Sequence, residues 1–177
     1  VISLMPDGTV ENARKAIDAA EKAQNQWERT PSIERAAYLT KIATGIRKRE
    51  KELTDIIVRE GGKTQGLANV EVLFTADYMD YMAGWARRYE GEIIPSDRPH
   101  ESIFLFKRPI GVTTGILPWN FPFFLVARKA APALITGNTI VIKPSQLTPE
   151  NAYVFAQIVE EAGLPAGVFN LVNGRGS

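Results

Sequence analysis

The feature that most limits the fold is the order of apolar segments after position 110. "GVTTGIL" (111–117), "TIVIK" (139–143) and "VFNLV" (168–172) are short runs rich in β-branched residues, and between them lie segments of helical length and pattern, 121–134 and 149–162. Strands that alternate with helices through short turns build a parallel sheet, because each return to the same sheet needs a crossover. The expectation for 111–177 is an α/β fold: the βαβαβ start of a Rossmann-like parallel sheet. Three strands leave an edge and a face uncovered, so the sheet is expected to continue beyond Ser177.

Upstream the pattern is helical. Ala13, Ala16, Ile17, Ala20 and Ala23 lead to Trp27, and Thr30 with Pro31 reads as a cap and first-turn residue for a second helix carrying Ala36, Leu39, Ile42, Ala43 and Ile46. A third segment, through Leu53, Ile56 and Ile57, is expected to stop at Gly61 and Gly62. A long helix through Val72, Met79 and Trp85 is expected to end near Gly91, followed by an extended edge segment at 102–109, "SIFLFKRP". The domains read as 1–91 helical, 92–110 extended and 111–177 the sheet.

Composition removes several function classes. The 21 basic and 20 acidic side chains leave a charge of +1, so no global field recruits nucleic acid or an anionic membrane. The most apolar stretch, 121–135, is broken by Arg128, Lys129 and Pro132 and is too short to span a bilayer. The chain opens on Val1 with no basic and apolar leader pattern, so the expected location is cytoplasmic and the natural start is expected to lie upstream. No cysteine is present, which removes disulfides, cysteine-ligated zinc and any thiol nucleophile within these residues, and His100 is the sole histidine, so no metal site is expected.

In an open parallel sheet, ligands bind outside the carboxyl ends of the strands. "LPWN" (117–120), "KPSQ" (143–146) and "NGRGS" (173–177) fall there. Asn120 either caps the following helix or presents an amide to a carbonyl or oxyanion. Trp119, Phe121, Phe123 and Phe124 either wall a dry pocket or belong to the core. Lys143 is a solvated strand end, or joins Ser145 and Gln146 in binding a ribose or phosphate. Gly174 and Gly176 make a turn or admit a ligand to the backbone. "EGGKT" (60–64) imitates a phosphate-binding loop, but Ile57 stands where that motif needs glycine, so Gly61 and Gly62 read as a helix stop.

"GILPWNFPFFLVARKAAPALITGNTIVIKPS" with "GLPAGVFNLVNGRG" resembles the NAD(P)-dependent aldehyde dehydrogenase superfamily over nearly the whole chain, and "FTADYMDYMAGWARRYEGEII" and "FPFFLVARK" resemble its bacterial lactaldehyde and glycolaldehyde branch. The resemblance implies oxidation of a small hydroxyaldehyde to the acid with NAD or NADP, through a thiohemiacetal and hydride transfer. It makes Asn120 the oxyanion amide and places Ile116, Leu117, Pro118 and Trp119 along the cofactor cleft. It sets Lys143 on the adenosine ribose with Ser145 and Gln146 beside it, and Gly174 and Gly176 at the adenosine end. Arg128 would face the substrate funnel, or is an ordinary surface or ion-paired arginine. The extended segment 92–110 resembles part of an oligomerisation element, implying a homodimer or homotetramer.

Two departures matter. Relatives that prefer NAD commonly carry Glu at the position of Gln146, whose carboxylate repels a 2′-phosphate; Gln146 removes that repulsion. The family's cysteine nucleophile and glutamate base fall beyond the matched segment, so the chain reads as an amino-terminal piece that is inactive alone. A non-catalytic nucleotide-binding or interaction module is the alternative, and an acyl-phosphate reductase, which generally lacks the "PWNFP" context, is another.

Overall fold

The computed structural model describes residues 2–175. Helices α1 (Val10–Arg29), α2 (Ser32–Lys48), α3 (Glu50–Gly61) and α4 (Gln65–Ala83) precede the strands β1 (Glu92–Pro95) and β2 (Ser102–Leu105). The chain then runs β3 (Val112–Ile116), α5 (Pro122–Ile135), β4 (Thr139–Lys143), α6 (Glu150–Glu161) and β5 (Phe169–Leu171). The α/β reading and the βαβαβ order hold, with element ends within two residues of the expected ones.

β4 is central, parallel to β3 on one side and β5 on the other. Its residues Thr139–Ile142 are buried, which is why "TIVI" shows no polar alternation. α5 packs on β3 and β4, α6 on β5, and α2, α3 and α4 pack outside α5 and α6. One core results: Leu39, Ile42, Ile46, Ile57, Val72 and Met79 from the helical layer meet Phe123, Leu134, Ile140, Ile142 and Phe155. Gly115 permits the close layer, since a Cβ there would lie 2.7 Å from Ile142 Cδ1 and 3.3 Å from Lys129 Cβ. The carboxyl end of α5 is tied down by Arg35, whose buried guanidinium donates from Nε to Ile135 O at 3.1 Å and also reaches Thr30 O. Burial lowers the affinity of Arg35 for its proton.

Three local expectations are corrected. Thr30 does not cap α2: it closes α1, its hydroxyl donating to Gln26 O at 3.1 Å, and Pro31 takes the N-cap position of α2 without a side-chain bond. The long fourth helix ends at Ala83, and a 3₁₀ turn at Gly84–Arg87, whose Ala86 carbonyl accepts from the Ser32 hydroxyl at 2.7 Å, replaces its expected last turns. Regular pairing in the extended segment 102–109 stops at Leu105, where the register with Glu92 ends. Gly62, at φ +65°, caps α3 in the left-handed region, as a helix stop requires. His100 sits exposed in the turn between β1 and β2. Among the described residues no helix is long and apolar enough to cross a membrane.

Candidate functional site

The carboxyl ends of β3 and β4 open a cleft of about 430 Å³ lined by Ile116, Leu117, Lys143, Ser145, Gln146 and Leu147, with Arg175 at its side. Five residues singled out in the sequence therefore share one wall system. Leu117 N donates to Lys143 O at 3.0 Å, which prolongs the strand ladder and fixes the two lips against each other. Lys143 Nζ donates to Pro144 O at 3.1 Å, and Ser145 Oγ accepts from Leu147 N at 3.2 Å, leaving the hydroxyl proton available. A larger groove of about 790 Å³ beside α3 is lined by Arg49, Glu52, Asp55 and Arg59, but Arg49 and Glu52 already pair there at 2.8 Å.

The remaining candidates lie at several distances from this cleft. Pro118, Trp119 and Asn120 follow directly on its floor and are exposed. The four aromatic residues divide: Trp119 and Phe121 are about half exposed, whereas Phe123 and Phe124 are core. Arg128 lies outside the cleft, on α5, eight residues after Asn120 in the chain. It is exposed near Tyr78, whose phenol burial pushes up while the Arg128 charge opposes that shift. Gly174 is placed against Gly8, where an added Cβ would stand 3.1 Å from Gly8 O; Gly176 lies outside the described residues.

The capping reading of Asn120 is corrected. Phe121 occupies the N-cap position of α5 without a side-chain bond, and among the described residues the Asn120 side chain has no hydrogen-bond partner. The cap comes from α4. Glu71 is wholly buried and its Oε1 accepts from Phe123 N at 3.0 Å and Phe124 N at 3.1 Å. Its Oε2 pairs with Lys63 Nζ, which also donates to Asn120 O at 3.0 Å and sits 3.9 Å from the Phe121 ring centroid.

α6 is treated the same way. Pro149 is its N-cap residue and offers no side-chain bond; instead Glu60 of α3 accepts from Glu150 N at 2.6 Å, Asn151 N at 3.2 Å and Asn151 Nδ2 at 2.8 Å. Burial raises the Glu60 carboxyl above its ordinary range, and the three donors only partly oppose that. Glu60, Lys63 and Glu71 were not candidates from sequence. Glu71 alone carried a visible signal, since it falls on the apolar stripe of α4 with Ala68, Val72, Thr75, Ala76 and Met79, where an acidic side chain must find donors.

The geometry is a sheet-end cleft with Ile116 and Leu117 on one side, an ammonium, hydroxyl and amide on the other, the exposed Asn120 amide on the loop that follows Leu117, and remote carboxylates accepting two N–H groups at the start of each helix. The sequence profile described as the aldehyde dehydrogenase family matches residues 1–177. The chain is 72% identical over 176 residues to lactaldehyde dehydrogenase of Escherichia coli K12, covering 99% of this chain and 37% of that one. It is 42% identical over 177 residues, all of this chain and 36% of the other, to D-glyceraldehyde dehydrogenase (NADP(+)) of Thermoplasma acidophilum. The crystal structure of the Escherichia coli lactaldehyde dehydrogenase superposes with a TM-score of 0.98 over 99% of this chain and 37% of its own. The structure of 3,6-anhydro-L-galactose dehydrogenase in complex with NAP does so at 0.92, with 39% identity, over 96% of this chain and 36% of its own. The chain thus spans little more than a third of the length of these relatives, and throughout that span it belongs to the aldehyde dehydrogenase family.

Proposed function

We propose that the protein carrying these residues oxidises a small hydroxyaldehyde, of the lactaldehyde type, to its carboxylic acid with NAD or NADP. The observation that carries this is the meeting of the Asn120 loop and the Lys143–Gln146 loop at one sheet-end cleft, in a chain 72% identical to a lactaldehyde dehydrogenase. The groups present suit a dinucleotide: exposed Ile116 and buried Leu117 give an apolar slot for a planar ring, and Lys143, Ser145 and Gln146 supply donors and acceptors for a ribose. A bound nicotinamide cofactor supplies the hydride acceptor.

In this reading the Asn120 amide N–H groups point at the aldehyde oxygen and gain strength as negative charge develops there, a differential interaction that lowers the barrier. Arg128, exposed on the α5 helix that follows the Asn120 loop, binds the hydroxyl end of the substrate. No thiol exists within the 177 residues, so the nucleophile comes from another part of the protein and this segment alone is inactive. That absence also favours the second reading, a non-catalytic nucleotide-binding module, which a full-length protein inert toward aldehydes would support. The β1–β2 hairpin presents Ile93, Phe104 and Phe106 to solvent and is proposed to join protomers into a dimer or tetramer.

The test is Asn120→Ala in the full-length protein. Turnover is expected to fall roughly 100- to 1,000-fold, the usual loss for one oxyanion donor. Steady-state kinetics that match the unsubstituted enzyme would remove Asn120 from the chemistry.

A further inference from the structure

We propose that Lys63 and Glu71 are positioning residues for the Asn120 amide, holding the loop 117–121 from the α3–α4 side so that the amide is aimed without being engaged. The inference rests on the aldehyde-oxidation reading above and assigns work to two residues outside the cleft. An oxyanion donor must be fixed before substrate arrives, and a hydrogen bond that occupied its substrate-facing N–H would compete with the substrate oxygen. Here the Asn120 side chain makes no bond among the described residues, and the contacts that fix it fall on the backbone. Lys63 Nζ binds the Asn120 carbonyl oxygen at 3.0 Å, one residue's peptide away from the amide side chain it steadies.

The brace holds the loop on both sides of Asn120. Ahead of it, Leu117 N is locked to Lys143 O at 3.0 Å. Behind it, the Phe121 ring lies under the Lys63 ammonium at 3.9 Å, and the N–H groups of Phe123 and Phe124 end on Glu71 Oε1. Glu71 has a second use. Its carboxylate holds Lys63 through Oε2, so one buried group fixes both the start of α5 and the cation that fixes the loop. Gly62, in the left-handed region at φ +65°, turns the chain out of α3 immediately before Lys63 and so delivers its side chain to this point.

A merely stabilising ion pair and a positioning pair differ in what they do to turnover once the amide is gone. In the full-length enzyme Lys63→Met keeps the aliphatic stem over Phe121 and removes the donor. It is expected to lower kcat roughly 10- to 100-fold, the cost of a small misplacement of a reacting group. KM and cofactor affinity by fluorescence quenching stay within about twofold, since the cleft itself is untouched. Lys63→Gln, which keeps a donor for Asn120 O, recovers most of the lost kcat. In an Asn120→Ala background, Lys63→Met costs less than about threefold more, because residues acting as one unit are not additive. Equal losses in both backgrounds, or turnover unchanged by Lys63→Met, would overturn the positioning role while leaving the dehydrogenase reading intact. An unsubstituted full-length protein with no aldehyde oxidation would overturn the reading beneath it instead.

Discussion

Glu60→Ala isolates the remote cap of α6. The substitution removes the acceptor for Glu150 N, Asn151 N and Asn151 Nδ2, bonded at 2.6, 3.2 and 2.8 Å, and Asn151 is fully buried, so water cannot replace the carboxylate on all three. Leaving buried donors without acceptors costs about 1–3 kcal/mol, and losing an N-cap about 1 kcal/mol. The two overlap, and removing a buried carboxylate returns part of the loss. The expected net destabilisation is about 2 kcal/mol. The pH dependence has a definite sign. Burial raises the folded-state pKa of Glu60 above the ordinary 4.5, so its contribution to stability is complete below that value and declines as pH rises through the folded pKa. Urea denaturation followed by tryptophan fluorescence should therefore find the gap between wild type and Glu60→Ala widest at the acid end and narrower at neutrality. A gap that widens with pH would show that the three donors outweigh burial and refute the reasoning; a gap below about 0.5 kcal/mol, typical of an ordinary surface substitution, would show that Glu60 is no cap.

Two further outcomes follow from exposed groups. Gln146 in the cleft brings no charge against a 2′-phosphate, so the full-length enzyme is expected to accept both NAD and NADP, and Gln146→Glu is expected to cut kcat/KM for NADP about tenfold relative to NAD. Undiminished preference for NAD in the unsubstituted enzyme would defeat this. Ile93 and Phe104 are cross-strand partners on the exposed hairpin, so Phe104→Asp is expected to shift the native mass toward a single protomer in light scattering; an unchanged assembly would place the interface elsewhere.

What could be read from the sequence was what is local. The strands announced themselves as β-branched runs, α5 and α6 by their length between those runs, and Lys143, Ser145 and Gln146 by following a strand end. Gly62 was readable as a stop because glycine takes the left-handed conformation there at least cost. What escaped was everything decided by contact between distant segments. Asn120 looked like a cap because cap preference is a local statistic, but Glu71, 49 positions earlier, holds the donors that Asn120 would have taken. Lys63 belongs to the segment that imitates a phosphate loop, and reading Gly61 and Gly62 as a helix stop gives no sign of the distant carbonyl that Lys63 binds.

The two remote carboxylates share a physical rationale that reaches the cofactor. A helix N-terminus aimed at a ligand mouth carries orphan N–H groups and partial positive charge, which makes it a ready anion site. Here both such termini are filled from behind, α5 by Glu71 and α6 by Glu60, from either side of the turn that joins α3 and α4. Two consequences follow together. Local side chains are released from capping, so Asn120 keeps its amide and Ser145 its hydroxyl proton for a ligand. The first N–H groups of both helices already end on acidic side chains, which leaves less there for a phosphate, so on the proposed function a dinucleotide would rely on the Lys143 loop more than on the dipole of α5 or α6. The helical layer is therefore part of the site's electrostatics: it decides which groups at the sheet end remain available to bind.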